Sequence, residues 1–495
     1  MKTKSLNELI DLMGGSLQAD DTSVKVLDAD LLRKNIGIAL FDRGRLYEAI
    51  DHFEAAMNLY GERKPRGTVA QAVRFAAGFL NFVLSLYVPG VKFRKVPTER
   101  EQAAIDLYKR KMTALAVTMP KRMFIESFIF SRLLVRYDMT RVENGLGILA
   151  GYSAIFCWPG MSFTLSRKIL QIVAGKLDPD VPKPWIYFRF SEVIHRFLKG
   201  EWDRIPPCDE ELVERSLKIG EFFYTTTYLD INCHFQLERG RLDLAERSLG
   251  RIREIATTYD YDYAQDEYHF LRTLLLLKRR RIPEALAEAE EGLTFAKQRS
   301  YTTDVFSLLA FKARAQVLLG DLDGADKTLH ELDSGLTKEN IVPLYLSWCL
   351  ASHFLLDLAR IGGQSAAGAA GGRAGRARQA QRTARKMLRN SRKAASERTE
   401  VRRLRGLLEW TRGRRRQALR WWEKSVDQAG RLGASLELAW TYREAGTRLR
   451  GEAGPPLALG GLQADELLAK AEDLIRDMEC PPPSARSRSE GPGGA

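Results

Sequence analysis

The sequence has no phosphate loop of the form G-x-x-x-x-G-K-[S/T], no G-x-S-x-G elbow, no H-E-x-x-H pair and no H-R-D loop. Phosphate-loop nucleotide chemistry, serine hydrolysis, zinc proteolysis and protein-kinase transfer therefore have no residues to run on. Its six histidines are scattered, and its five cysteines (Cys157, Cys208, Cys233, Cys349 and Cys480) lie far apart with no C-x-x-C and no histidine pair nearby. That spacing writes neither a disulfide framework nor a zinc site. Asp262 and Asp266 in "YDYDYAQDEY" stand one helical turn apart but lack the glycine and spacing of a calcium loop, so an acidic helix start is expected there instead. The sequence thus predicts no metal, no cofactor, no catalytic residue and no enzyme. Unpaired thiols suit a reducing compartment. Glu8 and Asp11 interrupt the apolar region that a signal peptide would need in "MKTKSLNELIDLMGG", and the expected location is cytoplasmic.

Long charge-free runs are few. Residues 75–91 ("FAAGFLNFVLSLYVPGV") and Gly145 to Ser166 are the two that raise a membrane question, and the second reaches the ~20 residues of a span. Trp158-Pro159-Gly160 breaks it in the middle. Buried helices are expected in both places, forming the most deeply buried part of the protein, with no membrane partner.

What the chain has in quantity is repetition. "LERGRLDLAERSL" at 237–249 echoes "FDRGRLYEAIDHF" at 41–53. Stepping by forty from Gly240 reaches Gly200, Arg280 and Gly320, and the same pattern surrounds Gly44 and Gly413. Two places on stand Leu46, Trp202, Leu242, Ile282 and Leu322. Five places on stand Ala49, Ala245, Ala285, Ala325 and Ala418, and nine places on Phe53, Leu249, Ala289, Leu329 and Trp422. Seven places before stand the small Gly37, Cys233, Thr273, Ala313 and Gly406. Small residues on both sides of a bend let two antiparallel helices approach, and the larger ones fill the groove between them. Glycine at the bend supplies the left-handed conformation that a helix C-terminus favours.

"GRLYEAIDHF" at 44–53 resembles the G-x-Y-x-x-A-x-x-x-F core of the tetratricopeptide-repeat superfamily, with Leu46 in the aromatic place. The forty-residue spacing exceeds the ~34 of that repeat and falls near HEAT and armadillo repeats. Together with "AGRLGASLELAWTYREAGTRL" and "LLAKAEDLIRDME" near the C-terminal end, the chain looks like the helical sensor arm of large bacterial signalling ATPases, the maltose-activator-like proteins and multidomain kinase or cyclase relatives, without the ATPase. The resemblance implies an all-α, right-handed α-solenoid of about 10–11 helical hairpins. It also implies a non-enzymatic scaffold for protein–protein interaction in bacterial signal transduction, with a protein or peptide on the concave face. Lys34 occupies the place of the family's carboxylate-clamping lysine, but Ile38 stands where the clamp needs asparagine, which argues against chaperone tails.

The expected layout is an N-terminal extension or cap at 1–22, solenoid at 23–360, a disordered Gly/Ala/Arg loop at 361–377, basic repeats at 378–479 and a disordered tail at 480–495. Residues 361–450 hold 23 Lys and Arg against 7 Asp and Glu, a surplus larger than the +14 of the whole chain. Arg412, Arg414, Arg415, Arg416 and Arg420, at a bend beside tryptophans, are the first candidate site, for an acidic protein or for nucleic acid; the latter makes a nucleic-acid-associated regulator the alternative function. Tyr187, Phe190 and His234, on first helices of the central repeats, are the second.

Overall fold

The computed structural model describes residues 22–60, 67–88, 95–336, 342–362, 370–452 and 457–479. The expected cap at 1–22 lies outside them except for Thr22, and so does the tail at 480–495. The first helices are α1 (Thr22–Asp42), α2 (Leu46–Leu59), α3 (Thr68–Tyr87), α4 (Glu99–Thr118), α5 (Pro120–Ile129), α6 (Arg132–Arg136), α7 (Gly145–Cys157), α8 (Phe163–Ala174), α9 (Pro182–Lys199) and α10 (Glu210–Lys218). From Phe222 the chain becomes regular. Hairpins α11 (Phe222–Arg239) and α12 (Leu242–Tyr259), α13 (Asp262–Lys278) and α14 (Ile282–Arg299), and α15 (Thr302–Leu319) and α16 (Leu322–Leu336) follow one another. Then come α17 (Pro343–Gly362) and α18 (Ala370–Asn390), α19 (Glu397–Thr411) and α20 (Arg415–Leu432), and α21 (Ser435–Arg450) and α22 (Ala464–Glu479). Successive first helices α9, α11, α13, α15, α17, α19 and α21 pack side by side, each covered by its partner. The fold is an all-α solenoid of tetratricopeptide-like hairpins, with two isolated bridges and no strand among the described residues.

The sequence markers are its bends. Gly44, Gly200, Gly240, Gly320 and Gly413 all have φ between 73° and 92°, and Arg280 adopts 61°. A side chain in this region is strained. Arg280 bears it where its guanidinium lies 4.5 Å from the Trp440 ring of α21. All five phased alanines are fully buried. A Cβ on Gly406 would sit 2.4 Å from Trp422 Nε1, so only glycine lets that indole donate its 3.2 Å hydrogen bond to the Arg403 carbonyl.

Four expectations need correction. After Gly200 no second helix starts: Trp202 sits in a single 3₁₀ turn, stacked on Phe197, and Pro206-Pro207 delays α10 to Glu210 because proline disfavours helix in the residue before it. Between Gly44 and Gly200 the cadence holds only in part: α4 and α5 meet at Met119–Pro120 and α7 and α8 at Trp158–Gly160, but α3 runs unbroken from Thr68 to Tyr87 through the first expected bend. Residues 370–377, expected as loop, belong to α18; alanine and arginine are strong helix formers, and Ala380, Ala384 and Met387 bury its inner face. Residues 363–369 of that segment lie outside the described residues. The apolar run 75–91 is not the most buried part. Its described portion belongs to α3, which is long and apolar enough to cross a membrane by length and composition, and which exposes Val69, Val73, Leu80, Leu84 and Tyr87. The run around Gly145–Ser166 does divide at Trp158–Gly160, into the mostly buried α7 and the amphipathic α8, which buries Ser166, Ile169, Leu170 and Val173.

The superhelix returns on itself. α21 touches α11 and α22 touches α12, while α4 touches α15. The Gly44 bend docks on the start of α13: the Asp262 amide donates to the Arg43 carbonyl at 3.1 Å, and the Tyr301 hydroxyl donates to the Gly44 carbonyl. Gly320→Ala, at a bend with open space around it, should cost about 1–2 kcal/mol for the left-handed backbone alone. Gly44→Ala should cost more, because its Cβ would lie 2.6 Å from the Tyr263 amide nitrogen. Chemical denaturation of both variants, with hydrogen exchange at the Asp262 amide, checks this: only Gly44→Ala should accelerate that exchange.

Candidate functional site

Helix α11 has no polar face to give to water. Phe223, Thr225, Thr226 and every residue from Tyr228 to Glu238 are buried, and α13 is nearly as enclosed. Such helices are surrounded on all sides, yet α11 carries Asp230, Asn232, His234, Gln236 and Glu238. Burying a polar group is costly unless it is hydrogen-bonded. Part of this polarity is satisfied locally: Asn232 Nδ2 donates to the Tyr228 carbonyl at 2.7 Å, and the Thr225 hydroxyl to the Glu221 carbonyl.

The rest faces two places. The first is a buried ionic network where α11, α13, α15, α19 and α21 meet. Lys278 reaches Glu238 at 2.8 Å and Glu437 at 3.7 Å, Arg403 reaches Glu437 at 3.0 Å and Glu400 at 3.2 Å, and Arg314 also pairs with Glu400. Burial pushes Glu400 up, but Arg314, Arg403 and Lys278 outweigh it and hold it at about 2. Glu397 beside it lacks such partners, and burial with the charge of Glu400 raises it to about 8.

The second is a cavity of about 720 Å³ walled by α4, α5, α7, α9, α11, α13, α15 and α17. At one end Tyr187 stacks on Tyr224 with ring centroids 3.4 Å apart. Lys109 Nζ lies 4.8 Å from the Tyr187 ring and 3.7 Å from Glu221 Oε2. Burial lowers the Lys109 pKa, and the Glu221 carboxylate opposes that fall. At the other end Asp230, Glu267 and Asp304 line the wall, with fully buried Asp266 beside Asp304. Burial raises all four carboxyl groups, and the charge of Asp304 adds to the rise of the other three; Asp304 itself is raised to about 6. No lysine or arginine of the described residues forms an ion pair with any of them. His234 Nε2 stands 3.4 Å from Asp230 Oδ1 without forming a hydrogen bond, and burial, with the Lys278 charge, pushes the imidazole down to about 3, so it brings no positive charge.

Of the sequence-predicted site residues, Tyr187 and Phe190 line this cavity, whereas His234 does not; it stacks on Trp348 within the core. The first helices expected to offer a concave face to a partner are buried around this cavity. Asp262 pairs with Arg299 at a helix start as expected, but Asp266 in the same stretch points inward. The arginine candidates separate. Arg415 packs 4.1 Å from the Trp410 ring and pairs with Glu452, and Arg412 donates to Gln381. Arg414, Arg416 and Arg420 are exposed. Sequence reading passed over Lys109, Asp230, Glu267 and Asp304. No sequence signal singles out the three carboxyl groups: Asp230 stands near Thr227 and Asn232, Glu267 follows Asp266, and Asp304 follows Thr303.

No family model matches the chain, and no curated protein does. The structure is similar to that of a Rap protein complexed with competence and sporulation factor, at 10% identity and a TM-score of 0.45, over 93% of this chain and 98% of that one. It is also similar to a signal transduction ATPase with numerous domains that carries a tetratricopeptide-repeat sensor, from Pyrococcus horikoshii. There identity is 15% and the TM-score 0.39, over 77% of this chain and 53% of that one.

The raised carboxyl groups set the pH dependence of stability. A folded-state pKa above the unfolded value means that folding takes up a proton. The stability so gained is complete below the unfolded value and is lost as pH rises through the folded one. For Asp304 that window runs from 3.8 to about 6, and for Glu397 from 4.5 to about 8. Glu400 acts oppositely, but only as pH falls from 4.5 towards about 2. Thermal melts should therefore show stability declining between about pH 5 and pH 8. Asp304→Asn should recover on the order of 1–3 kcal/mol at pH 8, roughly half of that at pH 5 and little below pH 3.8.

Proposed function

We propose that the protein is a non-enzymatic receptor and regulatory scaffold that encloses a peptide or protein segment in the axial cavity, in bacterial cytoplasmic signal transduction. The observation that carries this reading is the cavity itself. Its volume falls within the range of ligand sites, its lining is rich in tyrosine, phenylalanine and methionine, and its walls come from helices nearly three hundred residues apart in the chain. A segment bound there touches the N-terminal helices and the central hairpins together, so its presence bears on how the superhelix closes.

Catalysis finds little support in the same residues. Burial pushes His195 to about 4 and His234 to about 3, and pushes the thiols of Cys157, Cys208 and Cys349 to about 12. Neutral histidines and protonated thiols make poor general acids and nucleophiles. The four described cysteines are free, which suits a reducing compartment.

The rival reading, nucleic-acid association through 361–450, rests on an exposed stripe of α18. Arg378, Arg382, Arg385, Lys386 and Arg389 share one helix face and have no acidic partner among the described ion pairs. If that face holds phosphates, binding of random duplex DNA should fall steeply with salt, and Arg378→Glu/Arg382→Glu/Arg385→Glu should weaken it and flatten the slope. Weak, salt-insensitive retention of DNA by the unaltered protein removes this reading.

The receptor reading is tested by filling the cavity. A Cβ on Gly151 would meet nothing nearer than the Tyr224 hydroxyl at 3.8 Å, so Gly151→Phe should enter empty space and improve the propensity of α7. The variant should melt at or above the parent temperature while losing at least tenfold in affinity for fluorescent hexapeptides selected from a random pool by the parent protein. Equal retention of the selected peptides would place their site elsewhere.

A further inference from the structure

We propose that the acidic wall of the axial cavity, formed by Asp230, Glu267 and Asp304, is a subsite for an organic cation, the guanidinium or ammonium group of a basic side chain on the enclosed segment. This rests on the receptor reading above and adds to it the charge of what is bound.

Three successive first helices, α11, α13 and α15, each send one carboxyl group to the same wall. These groups differ from the buried acids elsewhere in the molecule. Glu126 has Lys111 at 2.7 Å, Glu221 has Lys109, Glu238 has Lys278, Glu400 has Arg314 and Arg403, and Glu409 has Arg405. Outside the cavity Glu397 is the exception among the buried acids, and it takes a hydrogen bond from the Ser396 hydroxyl. At the cavity wall the partner is missing. Asp230, only 6% exposed, leaves Oδ1 without a hydrogen bond, whereas Glu267 meets the Tyr263 hydroxyl and Asp304 meets the carboxyl group of fully buried Asp266, contacts that bring no positive charge. An unpaired buried carboxylate is unfavourable by several kcal/mol unless a proton or a cation neutralises it. A fold that supplies internal cations to nearly every other buried acid, and leaves an open cavity instead beside these three, is arranged for a cation that arrives from outside.

The spacing selects the kind of cation. A metal ion bound by oxygen at ~2.3–2.6 Å needs ligand atoms within about 5 Å of one another. Among the described residues, His269, Glu288 and Glu291 converge that closely, and the cavity carboxylates do not. Groups spread over a wider arc suit a guanidinium, which offers five donors in a plane, or an ammonium reached by more than one acceptor. Tyr263, Tyr345 and Phe223 line the same cavity, and aromatic rings beside an acidic group favour an organic cation.

The test uses the full-length protein at about pH 7.5 and the capped pentapeptides AARAA, AAKAA and AAEAA. A fourth peptide replaces the arginine with citrulline, its neutral isostere, and agmatine and spermidine serve as free cations. Binding is read by isothermal titration calorimetry. The arginine peptide should bind at least tenfold tighter than the citrulline and glutamate peptides. Asp230→Asn and Glu267→Gln should each remove most of that advantage while leaving the citrulline affinity unchanged, and both amide variants should melt at or above the parent temperature without ligand. Agmatine binding as tightly as the arginine peptide, with the same sensitivity to Asp230→Asn, would support the subsite and identify a free amine as its source. Equal binding of arginine and citrulline peptides would overturn the cation subsite and leave the receptor reading standing, provided that Gly151→Phe abolishes both. Absence of binding by every probe would overturn the proposal. Should Asp230→Asn fail to fold, Asp304→Asn provides the same comparison from α15.

Discussion

The closing of the superhelix is the constraint from which the other features of this protein follow. In an open solenoid the first helix of each hairpin has one face on its neighbours and one on water. Here α21 returns to α11 and the Gly44 bend docks on α13, so the first helices lose their solvent face. Polar side chains that an open arm would leave hydrated become interior groups, each requiring a partner.

The two halves of the interior answer that requirement differently. Around Lys278, Arg314 and Arg403 the charges interlock with Glu238, Glu400 and Glu437. Removing one member of such a set leaves an uncompensated buried charge at a cost of about 3–5 kcal/mol, whereas replacing the whole set by apolar groups of similar volume is often neutral. Its value therefore lies less in net stability than in selecting which faces of α11, α19 and α21 meet. Around the cavity the carboxyl groups of Asp230, Glu267 and Asp304 have no lysine or arginine partner among the described ion pairs, and burial raises the pKa of each.

The architecture also explains why the basic section is less available than its composition suggests. Arg403 and Arg415 are drawn inward by Glu437, Glu452 and the Trp410 ring. The surplus that remains outside is concentrated on α18 and at Arg414, Arg416 and Arg420. Charge counted along a chain overstates charge offered to a partner whenever arginines can reach buried carboxylates or indoles.

Much of the fold was legible before any coordinates. Gly44, Gly240, Arg280, Gly320 and Gly413 marked the bends because a left-handed residue and a phased alanine are local requirements of two helices packing within one hairpin. Trp202 misled because its phase was right while Pro206-Pro207 forbade the helix that should have followed. The segment 370–377 misled because a composition too poor in large apolar residues to build a core is still rich in helix formers. Of the site, only Tyr187 and Phe190 were reached, as apolar residues on central first helices. Asp230, Glu267 and Asp304 were not, because each reads in sequence as an ordinary polar position of an amphipathic helix. By itself the sequence determined what lies within a hairpin: its bends, its small contact residues and its want of catalytic motifs. The tertiary structure decided which polar residues face inward, because that depends on the small rotation between successive hairpins, which accumulates over the whole stack and is written at no single position.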